Sequence, residues 1–285
     1  MNKIVNGKLI SDKIKKEIKN EVCILKNKGI NPKLVVILVG NDPASIFYAK
    51  SKKKSTDEIG IEYILYNLPE NIKEEELLSI IDKLNHDVKV HGIMLELPLP
   101  KHINKYNVMS SISLEKDIDG INPANKGKIF INDNTNMLYP ATPQSCMEII
   151  LENNINISGK NVVIIGRGET VGKPLVFLLL KYNPTITICH SKTKNIKNYT
   201  QKADIIIIAI GKPKFLKSNM IKNGSIIIDA GINKLEDGSY CGDVDFKNVK
   251  KKTKLITPVP GGVGAITTAI IFKNLIKAIH IQYKI

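Results

Sequence analysis

Arginine is nearly missing from this 285-residue chain, although 42 lysines and arginines give it a formal net charge of +15 at pH 7. The single arginine is Arg167. Arginine is the side chain that forks onto phosphates and guanine edges. The basic runs Lys50-Ser51-Lys52-Lys53-Lys54 and Lys250-Lys251-Lys252 have no interleaved aromatics, tryptophan is absent, and aromatics total 5%. Nucleic-acid binding is therefore a minor reading and no nucleic-acid partner is expected. The charge itself reads two ways: attraction of polyanions such as nucleotides and polycarboxylates, or drift in a lysine-rich composition. The four cysteines, Cys23, Cys146, Cys189 and Cys241, form no Cys-x-x-Cys pair. That favours reduced thiols in a cytoplasmic protein over a disulfide framework or a zinc site. The five histidines make no His-x-x-x-His pair, so no metal is expected. There is no uncharged apolar run of about 18 residues, and the N-terminus lacks the apolar core of a signal peptide, so neither membrane association nor export is expected.

What is present alternates between two periodicities. Asp12 to Lys28 carries Ile14, Ile18, Val22 and Leu25 at helical spacing. Leu34–Val39 reads as a buried strand, Gly40 to Pro43 as a turn, and Pro43 to about Ile59 as a helix. Ile61–Leu68, Lys73–Asn85 and Gly92–Leu97 continue as strand, helix and strand. Thr142-Pro143 opens a helix to about Asn153. Beyond it, Val162–Ile165, Thr185–Cys189, Ile205–Ala209 and Ile226–Asp229 read as strands, and Gly264 to Lys277 as a last helix. Each strand leads into a helix, which predicts α/β architecture with largely parallel sheets in two halves. No sequence repeat relates the halves.

Arg167 stands in Gly166-Arg167-Gly168-Glu169-Thr170-Val171-Gly172, between a strand and a helix. Glycine-rich turns of this kind hold phosphates at helix N-termini. The spacing departs from G-x-G-x-x-G by one residue. An NAD site usually has an acid after the second strand, on the ribose 2′-hydroxyl. Here that place holds His190-Ser191-Lys192-Thr193-Lys194, hydroxyls and cations, which favours NADP over NAD. A solvated loop is the alternative.

In the first half, Tyr48 and Lys52 stand one helical turn apart. A ring beside an amine suits a flat heterocycle and proton chemistry, while the spacing alone better fits a surface lysine beside a half-buried tyrosine. Glu96-Leu97-Pro98-Leu99-Pro100 and Asp117-Ile118-Asp119-Gly120 place acids near strand or loop ends, where open α/β sheets bind ligands.

Together these segments resemble the bifunctional methylenetetrahydrofolate dehydrogenase/methenyltetrahydrofolate cyclohydrolase family over nearly the whole chain. The resemblance includes Val39 to Ser45, the Tyr48/Lys52 pair, Leu97 to Pro100, Lys116 to Gly120, and Pro140-Ala141-Thr142-Pro143. It continues through the Gly166 turn, His190 to Thr193, Gly211-Lys212-Pro213, Asp229 to Asn233, Gly242-Asp243-Val244 and Thr257 to Gly264. It implies a catalytic folate-binding domain over 1–140, with a final helix over 264–285 packing back on it. It also implies a Rossmann-like NADP-binding domain over 141–263, an active-site cleft between the two, and a homodimer acting on tetrahydrofolate derivatives. Lys52 would be the catalytic lysine, Tyr48 would stack on the folate, Asp119 would hold the pterin edge, and Glu96 would face the reacting carbon. Leu97, Pro98, Pro260, Gly261 and Gly262 would line the folate pocket. Gly166, Arg167, Gly168, Gly172, Ser191 and Ile232 would hold the cofactor, Arg167 and Ser191 at its 2′-phosphate. The implied reaction is oxidation of 5,10-methylenetetrahydrofolate with NADP+, then hydrolysis to 10-formyltetrahydrofolate.

Four positions depart from the family pattern. The family usually has glutamine where this chain has Glu96, serine at Gly168, glycine at Ser145, and Pro-Met at Ala265-Ile266. An ionised Glu96 near Lys52 would favour the charged ammonium. A second reading is therefore a dehydrogenase whose cyclohydrolase step is impaired, and a third is a basic nucleic-acid-binding protein.

Overall fold

The computed structural model describes residues 3–131 and 137–285, with the side chains of Pro43, Ala44, Phe47 and Tyr48 outside that description. The chain divides into two compact units. The N-terminal unit contains 13–141 and 271–285, and the C-terminal unit contains 1–12 and 142–270. Two helices run from one unit into the other, α1 (Gly7–Asn27) and the final helix α10 (Val263–Tyr283). A short strand, β1 (Lys3–Ile4), precedes α1.

In the N-terminal unit, β2 (Lys33–Val39), β3 (Glu62–Leu68) and β4 (Gly92–Leu95) form a parallel sheet in the order β3-β2-β4. The helices α2 (Pro43–Ile59) and α3 (Glu74–His86) follow β2 and β3. Two helices that the periodicity missed, α4 (Lys105–Ser111) and α5 (Pro123–Phe130), come later. Both are short and capped by asparagine: Asn104 Oδ1 accepts from the Tyr106 amide and Asn122 Oδ1 from the Ala124 amide. Strand β2 is central, and its six residues from Leu34 to Val39 are all buried. Val35, Ile37 and Val39 share one core with Leu77, Ile81 and Leu84 of α3 and Ile93 and Leu95 of β4. Each such side chain contributes roughly 1.5–3 kcal/mol by leaving water.

The helix α6 (Ala141–Glu152) leads into the C-terminal unit. There β5 (Asn161–Ile165), β6 (Thr185–Cys189), β7 (Ile205–Ile208) and β8 (Ile226–Asp229) are joined by β11 (Leu255–Ile256) and β1. The six-stranded parallel sheet has the order β1-β11-β8-β7-β5-β6. Helix α7 (Gly172–Leu180) follows β5, and α8 (Lys197–Thr200) and α9 (Phe246–Val249) are single turns. A two-stranded antiparallel hairpin, β9 (Asn233–Lys234) with β10 (Tyr240–Cys241), follows β8. All four isoleucines of β7 are buried, as a strand covered on both faces requires.

Helix α10 extends six residues beyond Lys277, where its helical spacing was read to end, and stops two short of the 264–285 that the resemblance implies; among the described residues it is the helix long and apolar enough to cross a membrane. Its apolar window is 56% buried in protein. Its interior carries Asn274, whose Nδ2 donates to the carbonyls of Ile118 and Tyr139 at 2.7 and 2.9 Å. An amide spent on two specific protein carbonyls is the mark of a core helix.

Candidate active site

In the N-terminal unit the chain leaves the central strand β2, forms α2 and β3 on one side, and returns as β4 on the other. Strand order reverses at β2, and such a point at the carboxyl end of a parallel sheet is where open α/β folds bind ligands. Helix α2 starts there. Asp42 caps it, Oδ2 accepting from the amide and hydroxyl of Ser45, each at 2.8 Å. Lys52 lies further along α2 and Glu96 immediately follows β4, its amide donating to the Ile37 carbonyl at 2.9 Å. Lys52 Nζ donates to Glu96 Oε1 at 2.6 Å, and both side chains are buried, at 6% and 8% exposure. A buried ion pair gains little net stability, but losing one partner strands the other charge. The two groups are thus held one proton transfer apart.

Tyr63 on β3 supports this arrangement. Its hydroxyl donates to the Ala49 carbonyl at 3.0 Å, one turn ahead of Lys52. Burial, with Glu96 nearby, pushes the phenol up, so it stays protonated and able to donate.

Lys116, itself buried, fixes the segment carrying Asp119. Its ammonium donates to the Leu84, Asn85 and Asp87 carbonyls at 3.0, 2.7 and 2.8 Å, closing the end of α3. Asp117 is fully buried and spent on structure: it accepts from the amides of Ile121 and Asn122 and from Asn125 Nδ2. Gly120 has φ +63°, and a Cβ there would collide with the backbone of Tyr139 and Pro140. Asp119 keeps part of its surface open, yet protein packs densely around its carboxyl. Burial, then the neighbouring Asp117, push it up to about 7; Lys52 opposes this and Glu96 adds to it. A carboxyl in that range can donate or accept a hydrogen bond near neutral pH. Leu97 and Pro98, joined by a cis peptide, are exposed. Tyr48 lies on α2, and its side chain is outside the described residues.

The C-terminal unit has the same reversal at β5, flanked by β6 and β7. The turn after β5 is built for close backbone approach. Gly166 has φ +118°, and a Cβ on it would collide with the Ala209 carbonyl, whereas a Cβ on Gly172 would collide with the Gly166 carbonyl. Gly168 has open space around it. Helix α7 begins at Gly172 with no side-chain cap from Val171; the Lys173 amide donates to the Gly168 carbonyl at 3.0 Å and Pro174 carries no amide hydrogen, so the helix start offers an anion the Gly172 amide. The Gly166 amide donates to the Cys189 carbonyl at 2.8 Å, which seats the turn beside the end of β6. There Thr193 Oγ1 accepts from the His190 amide and His190 Nδ1 from the Lys192 amide, folding the loop around the exposed Ser191. Arg167 is exposed on the same turn. These residues fit a dinucleotide whose pyrophosphate meets the turn and whose ribose meets the second strand's end. Ile232 is exposed beyond β8. Pro260 and Gly261 are exposed in this unit; Gly262 is buried and a Cβ there would collide with the Pro258 carbonyl.

A parallel sheet with a glycine turn at one reversal, and a lysine–carboxylate pair at the reversal of a second sheet, define an α/β enzyme of dinucleotide-dependent chemistry. The chain belongs to the tetrahydrofolate dehydrogenase/cyclohydrolase family. Residues 5–119 match that family's catalytic domain, and residues 140–283 match its NAD(P)-binding domain. The chain is 54% identical over 284 residues to the bifunctional protein FolD 2 of Desulfitobacterium hafniense, covering 100% of this chain and 99% of that protein. The bifunctional FolD methylenetetrahydrofolate dehydrogenase/cyclohydrolase of Campylobacter jejuni superposes with a TM-score of 0.95 at 45% identity, covering 99% of both chains. The Trypanosoma brucei methylenetetrahydrofolate dehydrogenase-cyclohydrolase, crystallised with NADP cofactor and inhibitor, superposes with a TM-score of 0.94 at 32% identity, covering 99% of this chain and 98% of that one.

Gly242-Asp243-Val244 belongs to the family resemblance but has no role legible in the sequence, and neither has Tyr63. The signal for Asp243 was its setting next to Gly242. Tyr63 carried no sequence signal, because strand tyrosines are common.

Proposed function

We infer that this chain oxidises 5,10-methylenetetrahydrofolate to 5,10-methenyltetrahydrofolate with NADP+ and hydrolyses the product to 10-formyltetrahydrofolate. The observation that carries the reading is the buried Lys52–Glu96 pair at 2.6 Å, placed at the strand reversal of a chain that matches both domains of the family. Bound NADP+ supplies the hydride acceptor. Arg167 and Ser191 hold its 2′-phosphate, and Gly166, Gly168 and Gly172 let its phosphates approach the backbone, with Ile232 lining the cofactor site. Tyr48, Leu97, Pro98, Pro260, Gly261 and Gly262 bind the folate, and Asp119 holds the pterin edge. In the second step water adds to the methenyl carbon, and the bond from that carbon to N5 breaks. The Lys52–Glu96 pair accepts and passes on the proton that the water gives up. The relatives named above as bifunctional give no support to the alternative in which Glu96 impairs the hydrolytic step.

The chain is proposed to work as a homodimer on folates in the cytoplasm. Its four cysteines, all free thiols, suit a reducing compartment. A spectroscopic assay with 5,10-methylenetetrahydrofolate and either NADP+ or NAD+ tests the reading by following reduced cofactor and methenyl intermediate together. Absence of NADP+-dependent turnover would overturn it.

A further inference from the structure

Two buried carboxylates in the C-terminal unit lie outside every role assigned above. Asp229 ends β8 at 2% exposure, and Asp243 follows β10 with none. Asp229 Oδ1 accepts from the amides of Gly231 and Asp243 at 3.0 and 3.2 Å, and its Oδ2 from the Val244 amide at 2.9 Å. Its own amide donates to Thr257 Oγ1 at 2.7 Å. Asp229 thereby fixes the backbone that carries Asp243. The Asp243 side chain then reaches the segment after β7. Oδ2 accepts from the amides of Ile210 and Gly211 at 2.6 and 3.1 Å, and Oδ1 from the Lys212 amide and Asn233 Nδ2 at 2.8 and 2.9 Å.

The sequence reserves room for both groups. A Cβ on Gly231 would collide with the Asp243 carboxyl, and a Cβ on Gly242 with the Asp229 carboxyl. Burying two like charges side by side is costly. Burial, against the lowering pull of three amide donors, pushes Asp229 up to about 6, and Asp243 adds to that rise. A fold that needed only to satisfy three amides could use a backbone turn.

The position of the clamped segment explains the expense. Strands β5 and β7 are neighbours, and strand order reverses between them. Ala209 and Ile210 stand directly under the phosphate turn: a Cβ on Gly166 would meet the Ala209 carbonyl, and it would lie 3.2 Å from the Ile210 Cγ2. The Ala209 amide is tied to β5 through the Ile165 carbonyl at 2.9 Å. Where Ile210 to Lys212 goes, the floor of the Gly166 turn goes with it.

We propose that Asp243, held by Asp229, is a positioning residue of the dinucleotide site: it fixes the Ile210–Lys212 segment so that the Gly166 turn keeps the shape that accepts the cofactor's phosphates. The proposal rests on the NADP+-dependent reading above. Asp243→Asn keeps the shape of the side chain but turns an NH2 toward amide donors, breaking one of its two pairs of bonds.

The experiment uses the full-length protein. Hydride transfer is assayed against NADP+ concentration, cyclohydrolase is assayed directly on 5,10-methenyltetrahydrofolate, and NADP+ affinity is measured by calorimetry. In Asp243→Asn the KM and Kd for NADP+ rise about tenfold or more, the scale of a lost charge-assisted bond. Cyclohydrolase falls less than threefold, and the KM for the folate is unchanged. Asn233→Ala, which removes one donor from Asp243, shifts NADP+ affinity the same way by about threefold and decides the question if Asp243→Asn does not fold. NADP+ affinity within twofold of the parent in the variants that fold would overturn the proposal. So would equal loss of both activities, the pattern of general unfolding. If the parent binds NADP+ but shows no folate turnover, the functional reading fails while the calorimetry still decides the positioning role.

Discussion

Both units use one local plan with opposite materials. Each has a central strand whose chain goes first to one side and then to the other, β3-β2-β4 and β6-β5-β7, and each keeps its candidate functional groups at the carboxyl ends where the order reverses. In the N-terminal unit that place holds ionisable side chains: Lys52 against Glu96, with Asp119 responding to both. In the C-terminal unit it holds backbone, with Gly166 and Gly172 at positions where any Cβ would collide with a neighbouring carbonyl. The difference follows from the chemistry. Moving a proton needs a side chain that can exchange one, set among charges that tune it. Holding a pyrophosphate needs amides at short range, which side chains only obstruct.

The largest effect should come from breaking the ionisable half. Lys52→Met leaves Glu96 buried without its partner and removes the proposed proton carrier. Cyclohydrolase activity should fall at least about 100-fold, within the range of a lost general acid–base group. Hydride transfer needs no proton acceptor, so dehydrogenase activity should persist in part and methenyltetrahydrofolate should accumulate. Full cyclohydrolase activity in the variant would remove Lys52 from the mechanism.

Asp119 and Asp229 sharpen the contrast through stability. Both carboxyls are raised, to about 7 and about 6, from an ordinary value of 3.8. A raised acid binds its proton more tightly folded than unfolded, so stability falls as pH climbs from about 4 to the folded value. Asp119 lacks the three amide donors that hold Asp229, and its rise extends higher. Asp119→Asn should therefore flatten the decline in Tm between pH 5 and 8. It should gain about 2 kcal/mol on the parent at the upper end, a figure reduced for the partial exposure of the group. Parallel Tm curves for parent and variant would show that Asp119 titrates normally.

The same contrast explains what the sequence made legible. Strands β2, β5, β7 and β8 were readable to within a residue or so, because strands buried on both faces are apolar without interruption, whereas the half-exposed β6 was readable from its β-branched run Thr185-Ile-Thr-Ile188. The glycine turn was readable because only glycine meets its steric demand. Two-residue strands such as β1 and β11 have no period to detect; β1 joins β11 through sheet pairing with residues some 250 positions away. The contact between Lys52 and Glu96, 44 residues apart, depends on β2 and β4 being neighbours, which local pattern does not encode. Asp117 and Asp119 look alike in sequence, yet one is consumed by three hydrogen bonds and the other is left to titrate.

Arg167 tests the backbone half at its one guanidinium. In the proposed scheme the glycine turn serves the pyrophosphate, and the guanidinium is left to distinguish a 2′-phosphate from a hydroxyl. Arg167→Ala should erase most of a preference for NADP+ over NAD+ of about tenfold, roughly 1.4 kcal/mol, while NAD+ turnover changes little. Equal loss with both cofactors would mean that Arg167 serves the shared pyrophosphate instead.

The smallest effect belongs to Tyr63, which touches neither substrate nor cofactor in the proposed scheme. Its hydroxyl donates to the Ala49 carbonyl, a group on α2 one turn before Lys52. Because burial keeps the phenol protonated, this bond holds over the working pH range. Tyr63→Phe removes only the bond, and one neutral hydrogen bond contributes about 1 kcal/mol. The Tm should drop slightly. If the bond also sets where α2 presents Lys52, cyclohydrolase should fall about threefold, with hydride transfer held within error. A purely structural role predicts the Tm change alone. In the C-terminal unit, the corresponding support for the glycine turn comes from buried carboxylates on backbone amides. The ionisable half should therefore lose activity gradually as its supports are trimmed, because a flexible lysine can still reach Glu96. A Cβ placed at Gly166 has no such latitude, because it would collide with the Ala209 carbonyl and no rotamer can move it away.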